Sequence, residues 1–118
     1  MAGTTVYGIP NCDTVKRARA WLVERGVDHA FHDFKRQGVP RDRLARWLRE
    51  AGRDRLVNRQ GTTWRRLDAA AQARAGSDAS ATELLLDQPS LIKRPVVEWA
   101  DGQLTVGFDP LAWAQRAG

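Results

Sequence analysis

The stretch from Thr4 to Phe34 constrains the fold more than any other part of the chain. Thr4-Thr5-Val6-Tyr7-Gly8-Ile9 is β-branched and aromatic and stops at Pro10, which predicts a first strand. From Asp13 to Arg25, Val15, Ala18, Trp21 and Leu22 fall on one helical face, while Lys16, Arg17, Arg19 and Glu24 fall on the other. Gly26 stands where a helix-ending glycine belongs, and Val27 to Phe34 reads as a second strand. Strand, helix and strand within about 30 residues make a right-handed βαβ unit with parallel strands, so the class is α/β.

The middle of the chain changes character. Pro40 opens a helix carrying Leu44, Trp47 and Leu48, which Gly52 closes. Asn58 to Thr63 reads as a polar loop, followed by a short segment from Trp64 to Leu67. Ala69 to Ala75 and Ser80 to Leu86 are helical stretches split by Gly76-Ser77-Asp78. The last third returns to strands: Val96-Val97-Glu98-Trp99 and Leu104-Thr105-Val106 flank Asp101-Gly102, a hairpin signal. Asp109-Pro110 then starts a helix ahead of Leu111 and Trp113. The order is β-α-β, several helices, β-β-α. At 118 residues, with no internal repeat and no long linker, one domain is expected.

Composition narrows the function. Five Trp and three Phe, with many Leu and Val, oppose disorder, and Trp47, Trp64, Trp99 and Trp113 are expected in the core. No apolar run approaches the roughly 20 residues needed to span a bilayer. Met1 to Tyr7 lacks a basic segment followed by an apolar one, so the expected location is cytoplasmic. The single cysteine, Cys12, excludes an internal disulfide or a multi-cysteine zinc site. His29 and His32, three apart in a strand, project to opposite faces and cannot share a metal. The net charge of +5 invites a nucleic-acid reading. Against it, the basic residues are mostly arginines alternating with acids, as in Arg41-Asp42-Arg43 and Arg53-Asp54-Arg55, the pattern of solvated helix faces. An anionic small substrate suits the same charge.

Cys12 carries the chemistry because of its position, between the first strand and the first helix. Free backbone N–H groups and the positive end of a helix dipole favour a thiolate over a thiol at such a junction. Lys16 and Arg17 add positive charge, Asp13 opposes it unless its carboxylate points away, and Thr14 offers a hydroxyl or a cap. The competing reading of Cys12 is a small buried apolar residue. Val15 stands three residues beyond it, so there is no Cys-x-x-Cys pair, and a redox cycle must take its second thiol from glutathione or another protein. Arg65-Arg66, near Gly61-Thr62-Thr63, offers either a solvated pair or an anion contact.

Four segments in order then resemble the ArsC/Spx family of thioredoxin-fold proteins, closest to its YffB-like branch: Gly8-Ile9-Pro10-Asn11-Cys12-Asp13-Thr14, Arg59-Gln60-Gly61-Thr62-Thr63-Trp64-Arg65, Ile92-Lys93-Arg94-Pro95-Val96-Val97 and Val106-Gly107-Phe108. The similarity runs from about Val6 to Trp113. It implies a single domain over 1–118, with a thioredoxin-like core at about 4–34 and 91–117, a four-stranded mixed sheet, and a helical insertion at about 39–90. It further implies that Pro95 is a cis-proline beside Cys12, where the backbone of Arg94 pairs with a thiol peptide such as glutathione. Carried over residue by residue, Cys12 matches the nucleophile and Arg94 an oxyanion-binding arginine. Arg59 lies in the loop that holds a second arginine, and Asn11, Thr14, Lys16 and Pro95 join it as substrate-binding positions. Two departures matter. Gly107 stands where arsenate reductases carry a further arginine, which weighs against arsenate, and Val15 breaks the Cys-x-x-Cys of redox-switched Spx proteins. The expected activity is a glutathione-dependent thiol reductase with no bound cofactor and no metal. Its rivals are a non-catalytic RNA-polymerase-binding regulator and an arsenate reductase proper.

Overall fold

A computed structural model describes residues 3–117, which form two compact units. One comprises the segments up to Gln37 and from Arg94 onward; the other is Gly38–Lys93. Among the described residues no helix is long and apolar enough to cross a membrane.

The first unit holds strands β1 (Thr4–Gly8), β2 (His29–Asp33), β3 (Val96–Glu98) and β4 (Leu104–Val106) in the order β2-β1-β3-β4. β1 and β2 are parallel and joined through helix α1 (Asp13–Glu24), whereas β1–β3 and β3–β4 are antiparallel. The register sets Phe31, Val6 and Val97 side by side across three strands. Because side chains alternate across a sheet, these three share one face. They pack there with Ala18 and Leu22 of α1, with Trp99, and with Trp113 of the last helix, Pro110–Ala117. Trp113 meets the rings of Trp21, Trp99 and Phe108 edge-on, with centroids 5.6, 5.0 and 4.8 Å away. A fully buried side chain of this size stabilises a fold by about 1.5–3 kcal/mol, so this cluster is the unit's main cohesive element. The architecture is the thioredoxin-like mixed sheet that the sequence implies.

Local chemistry moved several boundaries. The second strand ends at Asp33, and Phe34–Gln37 forms a short helix, α2, instead of extending the strand. The buried Asp33 carboxylate accepts the Lys35 N–H at 2.8 Å, and the Gln37 Oε1 accepts the Asp33 N–H at 3.0 Å, a local alternative to extended pairing. The hairpin turns through three residues, Ala100 to Gly102: the Gly102 N–H donates to the Trp99 carbonyl and the Trp99 N–H to the Gln103 carbonyl, both at 2.9 Å. Asp109 caps the last helix as expected, accepting the Ala112 N–H at 3.3 Å.

In the second unit, helices α3 (Arg41–Ala51) and α7 (Asp78–Asp87) pack together, with Leu44, Trp47, Leu48, Ala81, Leu84 and Leu85 buried. Between them lie α4 (Arg53–Leu56), α5 (Thr62–Arg66) and α6 (Ala69–Ala73), followed by a 3₁₀ turn at Arg74–Gly76. The residues expected as one helix from Ala69 to Ala75 thus tighten into 3₁₀ geometry. The next helix starts earlier than expected because Ser77 caps it, accepting the Ser80 N–H. The expected loop at Asn58 to Thr63 is shortened by α5, which begins at Thr62. Trp64, expected in the core, is only half-buried.

Candidate active site

Cys12 occupies the N-cap position of α1, with extended backbone angles (φ −96°, ψ 124°). Its carbonyl accepts the Lys16 N–H at 2.9 Å, the first bond of the helix, while its side chain makes no capping hydrogen bond. The sulfur is therefore not committed to holding the helix start. Cys12 and Thr14 are half-buried, and Asn11, Asp13, Lys16 and Arg17 are exposed around them. β1 delivers the chain to this point, and Val15, fully buried one turn in, anchors the helix beneath it.

β3 runs antiparallel to β1, so the residues that enter β3 lie at the end of the sheet where β1 exits toward Cys12. Those residues are Arg94, half-buried, and Pro95, buried, joined by a cis peptide bond. Extending the Tyr7–Val96 pairing by one residue sets Pro95 opposite Gly8. Gly8 is a part of this frame that residue typing alone passes over. A Cβ built on it would lie 2.9 Å from Val15 Cγ2 and 3.9 Å from Arg94 Cβ. The Arg94 contact is an ordinary one, but the Val15 contact is too close for carbon atoms, so a residue without a side chain lets the first turn of α1 close on the end of β1. The signal was present as a glycine ending a β-branched strand before a helix.

Gly107, just beyond β4, reaches the same end of the sheet. Its N–H donates to the Pro95 carbonyl at 2.8 Å, and its φ is +86°. That conformation favours glycine, so the backbone itself disfavours a side chain at this position.

The remaining candidates separate. Arg59 belongs to the second unit, where it is exposed, pairs with Asp54 at 3.2 Å and lies over the Trp64 ring at 5.4 Å. Arg65 donates to the Gln60 carbonyl at 2.9 Å, which ties down the turn that carries Arg59. The two histidines part as the strand period requires: His32 packs on Tyr7 with ring centroids 5.0 Å apart, and His29 faces Arg19. Among the described residues no group of three or more His, Cys, Asp or Glu is placed to hold a metal ion.

Known proteins extend this picture. The ArsC family model matches residues 7–115. The solved YffB (PA3664) protein is 48% identical, with a TM-score of 0.90 over 98% of this chain and 99% of its own. An arsenate reductase (ArsC) related protein from Brucella melitensis is 47% identical, with a TM-score of 0.74 over 97% and 93%. The global transcriptional regulator Spx of Streptococcus pyogenes is 28% identical over 107 residues, 89% of this chain and 78% of that one. A strand-to-helix cysteine, a proline entering the antiparallel strand beside it, and a family match over nearly the full length lead to one conclusion: the chain belongs to the ArsC family.

Proposed function

We propose that this chain is a cytoplasmic thiol–disulfide oxidoreductase with Cys12 as nucleophile, glutathione as co-substrate and no bound cofactor. One observation carries the reading: the sole cysteine is half-exposed at the start of α1, at the sheet end where Arg94–Pro95 enters β3. A thiol there is accessible to a partner laid along the strand entrance. Arg94 offers a guanidinium fork for that partner's carboxylate or an oxyanion. Asn11, Thr14 and Lys16, on the same loop and first helical turn as Cys12, are the further substrate-binding positions, and Arg59 enters on the family resemblance alone.

The chemistry balances without a second protein thiol. The Cys12 thiolate attacks the glutathionyl sulfur of a mixed disulfide R–S–S–G, forming a Cys12–glutathione disulfide and expelling R–S⁻, which takes up a proton. A glutathione thiolate then attacks the glutathionyl sulfur, releasing glutathione disulfide and restoring the Cys12 thiolate. In sum, R–S–S–G and one glutathione give R–SH and glutathione disulfide. Val15 at the third position beyond Cys12 is why the resolving thiol comes from outside. Incubation with glutathione disulfide, followed by intact and peptide mass spectrometry, tests this. One glutathionyl increment on the Cys12 peptide is expected, and an unmodified protein overturns the reading.

The similarity to Spx favours a second reading, a regulator that acts by binding RNA polymerase. Polymerase binding that survives Cys12→Ser, with no turnover by the unaltered protein, would establish it. Arsenate reduction is the weaker reading, because the left-handed Gly107 stands where arsenate reductases carry an arginine.

A further inference from the structure

Beside the Cys12 loop, the first unit carries a groove of about 530 Å³ lined by Pro10, Arg19, Phe31, Asp33, Arg36 and Gln37. Pro10 is two residues from Cys12, so the groove begins at the reactive loop and continues along the end of edge strand β2 to α2. Its chemistry is amphipathic and anion-seeking. The Phe31 ring forms an apolar wall with the Arg19 guanidinium centred 4.2 Å above it, an arrangement that orders the cation. The Arg19 Nε–H points to His29 at 3.5 Å, and among the described residues no ion pair engages its terminal nitrogens. Arg36 is exposed and has no hydrogen-bond or ion-pair partner among the described residues. The one acid among the lining residues, Asp33, is buried and accepts the Lys35 N–H at 2.8 Å; it forms no ion pair with either arginine among the described residues, and two guanidinium groups against one carboxylate leave the groove net positive. Gln37 adds an exposed amide.

We infer that this groove binds an acidic peptide segment of the oxidised protein that exchanges with Cys12. The inference rests on the oxidoreductase reading. With one cysteine in the chain, exchange needs two partners in succession at one sulfur. The Arg94–Pro95 side is assigned to glutathione, which leaves the Pro10 side for the other reactant. A peptide fits this groove better than a simple anion does. Two guanidinium groups take carboxylates, while the Phe31 and Pro10 surfaces and the Gln37 amide take the backbone and apolar atoms between them.

Two peptides of equal length test the inference, each with one cysteine held as a mixed disulfide with glutathione, one glutamate-rich and one glutamine-rich. Attack by Cys12 on the glutathionyl sulfur forms the Cys12–glutathione disulfide and expels the peptide thiolate, which takes up a proton; glutathionylated protein is followed by mass spectrometry. At low salt the acidic peptide is expected to react about tenfold faster, an advantage that salt removes. Arg36→Gln, which removes no contact within the fold, is expected to cut that advantage to about threefold, and Arg19→Gln with Arg36→Gln to abolish it. The glutamine peptide should react equally with all variants. Arg49→Gln, which removes one exposed charge from α3, should leave the preference intact. Equal rates for the two peptides, or a preference that survives the double substitution, would overturn the groove assignment alone. Failure of Cys12 to react with either peptide or with glutathione disulfide would overturn the oxidoreductase reading instead.

Discussion

Replacing Gly8 by alanine tests how tightly the site is framed. The added Cβ would sit 2.9 Å from Val15 Cγ2, closer than carbon atoms pack, and in ordinary contact with Arg94 Cβ at 3.9 Å. Val15 cannot turn away easily, because it is fully buried and β-branched, with a single favoured rotamer in a helix. The strain therefore passes to the first turn of α1 or to the Arg94 strand. Overpacking of this kind costs about 1–3 kcal/mol. For a domain of this size each kcal/mol lowers Tm by roughly 3–6 °C, so a fall of about 3–18 °C is expected. Because the displaced elements carry Cys12 and Arg94, alkylation of Cys12 should change as well. Calorimetry of Gly8→Ala, Val15→Ala and the double variant gives the coupling. Truncating Val15 removes the clash, so the double variant should be more stable than the sum of the single effects predicts, by about 1 kcal/mol or more. A Gly8→Ala protein within about 0.5 kcal/mol of the unaltered one, or strict additivity, would refute the close-approach argument.

Other outcomes follow from the same geometry. Arg94→Ala should lower the ratio of iodoacetate to iodoacetamide rates at Cys12 by about two- to fivefold at low salt, equivalent to about 0.5–1 kcal/mol of ion pairing, while an unchanged ratio would show that Arg94 does not bind anions there. Gly107→Arg should destabilise by about 1–2 kcal/mol, because a side chain is forced into the left-handed region, and arsenate turnover should stay poor; denaturant melts and a glutathione-coupled arsenate assay check both. Arg41 donates two hydrogen bonds to the Glu83 carboxylate and holds it below the ordinary carboxylate range. A lowered native pKa adds stability above the unfolded value and loses it as pH falls through the native one. Stability curves of the unaltered protein and Glu83→Gln should therefore converge in acid, and an NMR titration of Glu83 should move upward in Arg41→Gln.

Legibility in the sequence tracked how local each signal was. The βαβ opening was readable because Val15, Ala18 and Leu22 mark a buried helical face between two β-rich runs, and all three are fully buried. Asp109-Pro110 was readable because a cap is chemistry between near neighbours. The end of the second strand was not, since it depends on Asp33 and Gln37 side chains replacing ladder bonds. The half-burial of Trp64 is not legible because it sits on a short helix, α5, and packs against the Arg59 guanidinium, a contact set by the turn that precedes that helix. At the site, Cys12 and Arg94–Pro95 stood out by motif. The role of Gly8 depends on the antiparallel pairing of β1 and β3, a contact between residues about 90 apart, and that of Gly107 on the β3–β4 pairing that sets it against Pro95.

The central claim, that Cys12 performs thiol–disulfide exchange with glutathione, is tested most directly by steady-state turnover. A glutathione–peptide mixed disulfide is supplied with glutathione, NADPH and glutathione reductase, and oxidation of NADPH is followed for the unaltered protein and for Cys12→Ser. Catalysed turnover is expected that Cys12→Ser abolishes while its melting temperature stays within about 2 °C, since the half-buried thiol caps nothing and the hydroxyl is of similar size. Turnover that persists in Cys12→Ser, or an unaltered protein no faster than the uncatalysed background, would contradict it.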